Sequence, residues 1–183
     1  MRATRLAILA LATFAVVGAA PTQDAKGKAA PRPSGPPSPV TKASLPALLR
    51  SAGYTPTKVT ESWYTIPVDV LGAAQQPFDV SLSESGEKIW VHVHLGSVED
   101  ASKAPPAVLA RLLQLNDEGI AHFLFRKGQS GGAMKDKLYM ALSLDNRGVT
   151  PALFKTAVDK LVREVTATRD AWQVQRWTAK PAR

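Results

Sequence analysis

The 183-residue sequence contains no cysteine. A domain built from it can therefore have no disulfide, no thiolate metal ligand and no cysteine nucleophile, and it cannot carry a lipid on an N-terminal cysteine. Such a domain must be stabilised by the packing of apolar side chains, which make up 45% of the residues. The length suits one domain with appendages rather than two full domains.

The central part of the sequence also lacks an excess of charge, although the whole chain has a formal net charge of +8. Residues 1–39 account for four of these charges and residues 171–183 for three, which leaves +1 for residues 40–170. Binding to nucleic acid through its phosphates requires Lys and Arg clustered on one face, and no predicted strand or helix has such a cluster. The sequence therefore predicts no nucleic-acid partner.

Long apolar runs are absent except near the N-terminus, where Leu6–Val17 follows two arginines and precedes three small residues. A basic start, an apolar run of about a dozen residues and a small-residue end are the parts of a secretory signal. Because spanning a bilayer takes about 20 apolar residues, we expect cleavage rather than a retained anchor. Cleavage is expected after Ala19 or, less favourably because Pro21 follows, after Ala20. This predicts a secreted or periplasmic protein with a signal peptide over residues 1–19 and no stable membrane span after cleavage.

Residues 20–39 contain six prolines and no large apolar residue. Proline fixes the backbone angle φ and has no N–H to donate, so such a stretch stays extended and solvated and cannot form a core. We expect a disordered linker here, then a domain over residues 40–170, and finally a basic C-terminal tail over residues 171–183.

Three segments have apolar residues at the three- and four-residue spacing of amphipathic helices. The first covers residues 43–52. The second, which is rich in leucine, runs from about Pro105 to Gly119. The third starts at Thr150, a predicted N-cap followed by a proline, and reaches about Arg169.

Five segments instead have the alternation or the β-branched and aromatic composition of strands. They lie at residues 59–68, 78–83, 89–95, 122–127 and 138–144. In the third of these segments the odd-numbered side chains are predicted to enter the core, which leaves Trp90 on the opposite face. The order α-β-β-β-α-β-β-α favours an α+β fold, in which three helices pack mainly on one face of an antiparallel five-stranded sheet.

The order of the elements and the residues of the second half resemble the YbjN-like proteins and the type III secretion chaperone-like (CesT-like) fold. The matching passages are residues 108–116, 122–125, 138–142 and 146–154. The resemblance covers about residues 43–170. It implies a small binding domain, often dimeric, whose relatives act as secretion chaperones or as regulators. Those chaperones are cytosolic, whereas this sequence has a predicted export signal, which counts against a role in loading a secretion apparatus.

Three histidines are the main candidates for a reactive site. His92 and His94 share one face of a predicted strand, and His122 lies on another strand of the same sheet. Such imidazoles can hold a zinc ion with an open position for water, so a metal-dependent hydrolase is one alternative. However, no carboxylate has a matching spacing, and the glycine-rich loop at residues 128–132 lacks the lysine of a phosphate-binding loop. We therefore predict no catalytic residue, no cofactor and no metal site.

The sequence as a whole favours an exported, non-enzymatic module that binds a protein or peptide or acts like a chaperone. The expected docking surface is the leucine-rich second helix or a sheet edge. Homodimerisation through the same surface is a variant of this prediction. The alternatives are the metal-dependent hydrolase that uses the His-x-His pair and a purely structural envelope domain.

Overall fold

The computed structural model describes residues 38–70, 75–127 and 135–177. The predicted signal peptide, with its cleavage positions Ala19 and Ala20, lies outside the described residues. So do most of the predicted linker and the glycine-rich loop. The described residues belong to one compact unit. None of the helices within them is both long and apolar enough to cross a bilayer.

Six strands and five α-helices are present in the described residues, together with one turn of 3-10 helix. Their bounds in chain order are α1 Leu45–Ser51, β1 Thr57–Lys58, β2 Trp63–Val68, β3 Gln76–Leu82, β4 Lys88–Val98, the 3-10 helix Ala101–Lys103, α2 Pro106–Glu118, β5 His122–Arg126, β6 Asp136–Asp145, α3 Pro151–Ala167, α4 Arg169–Trp172 and α5 Val174–Trp177.

The predicted α+β class with an antiparallel sheet is confirmed, but the predicted numbers of five strands and three helices are wrong. The additional strand, β1, has only two residues, which pair with Tyr64 and Thr65 of β2. A turn separates β1 from β2, since the amide groups of Val59 and Thr60 both donate to the carbonyl of Trp63. The additional helices, α4 and α5, have four residues each. Elements this short have no periodicity that a sequence pattern could reveal.

The strands form one sheet in the order β1-β2-β3-β4-β6-β5, and every neighbouring pair is antiparallel. The long strand β4 lies inside the sheet. Its residue His92 is opposite Asp79 of β3 on one side and Ala141 of β6 on the other. Ala141 is in turn opposite His122 of the edge strand β5. The register therefore aligns four strands across the middle of the sheet.

The core lies between one face of this sheet and the helices. On β4, the predicted alternation is present, since Ile89, Val91 and Val93 are fully buried. They pack with helical side chains such as Leu49 of α1 and Phe154 of α3. Full burial of a side chain of this size contributes roughly 1.5–3 kcal/mol to stability, and the absence of cysteine leaves this packing as the main source.

The start of α3 is capped, and the end of the described chain packs against the core. The predicted cap is present, because the Oγ1 atom of Thr150 accepts a hydrogen bond from the Leu153 amide at 3.1 Å. Residues 171–177, the described part of the predicted tail, pack on the domain. The Trp177 ring lies edge-on to Phe125, with 6.3 Å between their centroids.

Two asparagines bind backbone groups that the sheet itself leaves unpaired. Asn146 is 1% exposed, and its Oδ1 atom accepts from the Val40 amide at 2.9 Å. Its Nδ2 atom donates to the carbonyls of Val40 and Gly86, both at 2.7 Å. At the sheet edge, Asn116 of α2 bonds both the amide and the carbonyl of Phe123, at 2.6 and 3.1 Å. The first asparagine holds the start of the domain against the β3–β4 turn, and the second bonds the edge strand β5 at its second residue.

Replacing Asn146 by alanine should destabilise the domain, because it removes three hydrogen bonds from a buried site. Each buried group left without a partner costs about 1–3 kcal/mol, and we expect a total loss of about 2–4 kcal/mol in the free energy of unfolding. Urea denaturation measures this loss. The control Arg147→Ala, at an exposed neighbouring position, should change stability by less than about 0.5 kcal/mol. Equal stability of the two variants would contradict the role given to Asn146.

Candidate functional site

The face of the sheet that points away from the helices is the candidate site, and we call it the open face. It is formed by the alternate side chains that do not enter the core. They include Trp63, Thr65, Asp79, Ser81, Trp90, His92, His94, His122, Leu124, Arg126, Tyr139, Ala141 and Ser143. Two cavities lie on this face, and no described helix contributes a residue to their walls.

A diagonal contact joins the edge strand to the centre of the open face. The Arg126 side chain crosses the Tyr139 ring, with its Cζ atom 5.5 Å from the ring centroid. Its Nη2 atom then reaches the Nε2 atom of His92 at 3.0 Å. A guanidinium can only donate, so Nε2 must be the unprotonated nitrogen of the imidazole. His92 is therefore a neutral acceptor, with its proton on Nδ1.

The surroundings of His92 stabilise this neutral form. The residue is 6% exposed, and the Trp90 ring stacks on it with a centroid distance of 5.9 Å and an interplanar angle of 12°. Burial, and to a smaller extent the charge of Arg126, lower the pKa of His92 to about 4. Near neutral pH this imidazole is uncharged and serves as a hydrogen-bond acceptor for Arg126.

Tyr139 also remains uncharged near neutral pH. Its partial burial raises its pKa, as does the nearby carboxylate of Asp79, while Arg126 has the opposite effect. Asp79 itself accepts a hydrogen bond from the Thr65 hydroxyl at 3.0 Å. The ring of His94 lies 5.3 Å from that of Tyr139. The arginine thus contacts an aromatic ring on a face where most other side chains are polar.

The three histidines of the sequence do not converge. His92 is engaged by Arg126, whereas His94 is exposed and its Nε2 atom lies 3.2 Å from the Ser97 hydroxyl. His122 is exposed on the edge strand. Within the described ranges, no group of three His, Cys, Asp or Glu side chains is arranged to hold a metal ion. The geometry that a metal-dependent hydrolase would need is not formed by these imidazoles.

The two cavities of the open face adjoin each other. Their volumes are about 220 and 280 Å³, and Ser81, His92 and Arg126 line both of them. The smaller cavity extends to Trp63 and the larger to Trp90. No ion pair of the described residues includes Arg126. The open face therefore has a positive charge in the wall that the two cavities share, and each cavity also has a tryptophan in its lining.

The two surfaces that the sequence favoured for docking, the second helix and a sheet edge, are partly used in contacts within the domain. Leu112 and Leu115 of α2 are buried in the core. Leu113 is the large apolar side chain of α2 that is most exposed, at 68%. At the edge strand β5, the backbone amide and carbonyl of Phe123 are already bonded by Asn116. A separate groove of about 340 Å³ lies beside Trp177, where the described chain ends.

Sequence reasoning missed Arg126 as a site residue. The alternation of β5 places it on the same face as His122, so its direction could have been inferred. Its contact with His92 could not, since the two residues are on strands separated by β6 and are 34 positions apart. Only the registers of β4, β6 and β5 bring them together.

The depressed pKa of His92 predicts a loss of stability in acid. The unfolded chain takes up the proton near pH 6.5 and the folded chain only near pH 4, so this contribution is complete above pH 6.5 and is lost as the pH falls to 4. The difference corresponds to about 3 kcal/mol. Urea denaturation across this range should show a weaker pH dependence for His92→Gln than for the wild type. The control His122→Gln, at an exposed position of the same face, should keep the wild-type dependence, and identical curves for all three would contradict the assignment.

Comparison with known proteins supports the fold. No protein-family model matches the sequence, and no curated protein matches it. The structure is similar to that of YbjN, a candidate transcription regulator from E. coli, with a TM-score of 0.51 and 17% identity over 73% of this chain and 96% of that chain. It also matches the HopA1–SchA chaperone–effector complex, with a TM-score of 0.43 and 14% identity over 70% of this chain and 92% of that chain. Identity this low shows the fold alone. The predicted resemblance is thereby confirmed at that level: the chain has a YbjN-like fold.

Proposed function

We propose that this protein is a non-enzymatic polypeptide-binding module and that the open face of its sheet holds the polypeptide. One observation carries the proposal. The open face has two tryptophans, Trp63 and Trp90, beside adjoining cavities that no described helix covers. Trp63 is 40% exposed and Trp90 is half-buried.

Exposed tryptophan favours a binding role for this face. Its ring buries a large apolar area on contact with a partner, and tryptophan is enriched among the residues that contribute most to protein interfaces. Large aromatic side chains are otherwise mostly buried. The valine at position 59, close to Trp63 along the chain, is another exposed apolar side chain. Together they provide apolar surface at one end of the open face.

The arrangement of the cavities favours a polypeptide. Each cavity, at about 220 or 280 Å³, is smaller than the about 300–1,000 Å³ that is usual for a pocket that encloses a small ligand. Two such cavities side by side on an uncovered sheet suit successive side chains of an extended segment.

The chemistry of the face supports a non-enzymatic role. A general base needs a pKa near the working pH, whereas that of His92 is about 4. Its Nε2 atom is also engaged by Arg126. The imidazole is therefore suited to holding a side chain in place rather than to transferring protons.

We also propose that binding takes place outside the cytoplasm, in the periplasm or after secretion. Support comes from the sequence of residues 1–19, with its basic start, apolar run and small final residues. The near-neutral composition of residues 40–170 gives no sign of a nucleic-acid partner.

A peptide-display experiment tests the binding proposal. A library of random peptides is panned against the purified protein, and the affinity of enriched peptides is measured by calorimetry. We expect Trp63→Ala to weaken binding by about tenfold or more, since a central aromatic contact contributes at least about 1.4 kcal/mol. Leu153→Ala is the matched control, because Leu153 is 48% exposed on α3 and lies on another surface.

Two results would overturn this proposal. One is the absence of any enriched peptide whose binding depends on Trp63. The other is a tight dimer, seen by light scattering at several concentrations, that Trp63→Ala dissociates. In that case a second copy of the chain would occupy the open face, and self-association would replace polypeptide binding.

Export is tested separately by producing the full chain in bacteria and fractionating the cells. The protein recovered outside the cytoplasm should begin at Ala20 or Pro21, as read by N-terminal sequencing. Leu11→Arg interrupts the apolar run and should keep the uncleaved chain inside the cell. Recovery of uncleaved wild-type protein from the cytoplasm would contradict the prediction.

A further inference from the structure

Arg126 is the feature of the open face that polypeptide binding by apolar contact leaves unexplained. Its guanidinium lies over the Tyr139 ring and donates to His92. No other hydrogen bond and no salt bridge joins the Arg126 side chain to the described residues. A guanidinium has five N–H donors in a rigid plane, so most of them remain for a ligand.

His92 acts as the support that orients this guanidinium. His92 lies on an inner strand and accepts one N–H of Arg126 at 3.0 Å. The Trp90 ring stacks on the imidazole and limits its rotation. A protonated imidazole could not accept this bond and would repel the guanidinium. The neutral form of His92 therefore holds the arginine in one direction while adding no charge. This pre-organisation lowers the entropy cost of ligand binding.

The lining of the smaller cavity favours a ligand with a single negative charge. The hydroxyls of Thr60, Ser62 and Ser81 can donate to an anion beside Arg126. The same lining includes the carboxylate of Asp79, which would repel a doubly charged phosphate more strongly than a carboxylate. A planar carboxylate also matches the fork of a guanidinium through two parallel hydrogen bonds.

The position of Arg126 indicates where this carboxylate lies in the bound chain. Arg126 lines both cavities, so it is central to the proposed site rather than at one end of it. A polypeptide that fills both cavities passes over the guanidinium and continues on each side. The carboxylate then belongs to a side chain within the segment, and other residues of the same segment contact Trp63 and Trp90.

We propose that Arg126, oriented by His92, binds the carboxylate of an aspartate or glutamate side chain within the polypeptide that occupies the open face. This inference rests on the proposed function and specifies its ligand as an acidic residue between apolar ones. Arg126 makes the contact with the ligand, and His92 is a positioning residue.

The test uses the peptides that the wild-type protein enriches in the display experiment. They should share an acidic residue at a fixed position, and exchange of that residue for its amide should weaken binding by about tenfold or more. Arg126→Ala should bind the acidic and the amide peptide equally. Arg111→Ala, an exposed arginine on α2, is the matched control and should keep the full preference. Raising the salt concentration should reduce the preference of the wild type.

The role of His92 is tested by two replacements. Glutamine can still accept a hydrogen bond from Arg126, whereas leucine cannot. His92→Gln should keep most of the preference for the acidic peptide, and His92→Leu should lose it while still binding the amide peptide. Equal loss in both variants would show that His92 does not act through this hydrogen bond.

The outcomes separate this inference from the proposed function. Enriched peptides that depend on Trp63 but lack an acidic residue would overturn the inference and leave polypeptide binding intact. Weakening on amidation of the peptide C-terminus, with no effect of the internal exchange, would assign Arg126 to a terminal carboxylate and also overturn it. If no peptide is enriched, both proposals fail.

Discussion

The domain is held together by the packing of its helices against one face of an antiparallel sheet. Without cysteine, the domain has no covalent crosslink to compensate for a poor core. The side chains of Ile89, Phe78 and Phe154 are fully buried at this interface. Because side chains alternate along a strand, each residue buried there places its neighbours on the opposite face. The composition of the open face is thus a consequence of how the core is formed.

Polar groups are placed where this packing cannot satisfy the backbone. Asn146 bonds the backbone of Val40 and Gly86, and Asn116 bonds that of Phe123 at the sheet edge. Occupation of an edge strand limits pairing with a strand from another molecule. Because Asn116 already bonds Phe123, a partner strand finds fewer free backbone N–H and C=O groups along β5. This supports the proposal that the face of the sheet, rather than this edge, binds the polypeptide.

The pairing of Arg126 with His92 distinguishes this face from a metal site. An imidazole that accepts a hydrogen bond from a guanidinium has no free lone pair on that nitrogen for a metal ion. Burial and the adjacent positive charge also oppose its protonation. The same arrangement leaves the arginine oriented and without a charged partner among the described side chains. A cation held in this way is suited to a ligand that brings its own negative charge.

Properties that depend on neighbouring residues could be predicted from the sequence. The alternation from Ile89 to Leu95 indicates which side chains of β4 enter the core, and Thr150 with the proline after it predicts the start of α3. These signals are local, because side-chain direction repeats every two residues in a strand and a cap acts within one helical turn. The element order and the antiparallel class followed from such patterns. The two-residue strand β1 and the four-residue helices α4 and α5 are too short to produce any.

The contacts between side chains of the open face depend on how the strands are arranged in space. The histidines at positions 92 and 94 share a face, as their spacing indicates, but their partners come from elsewhere. Arg126 reaches His92 across β6, and Ser97 lies beside His94 near an irregularity in the β4–β6 register. Register and strand order depend on the packing of the whole sheet, and a shift of one residue would move Arg126 to the core face. No local pattern could specify that contact, because the free energy that selects it is distributed over the entire core.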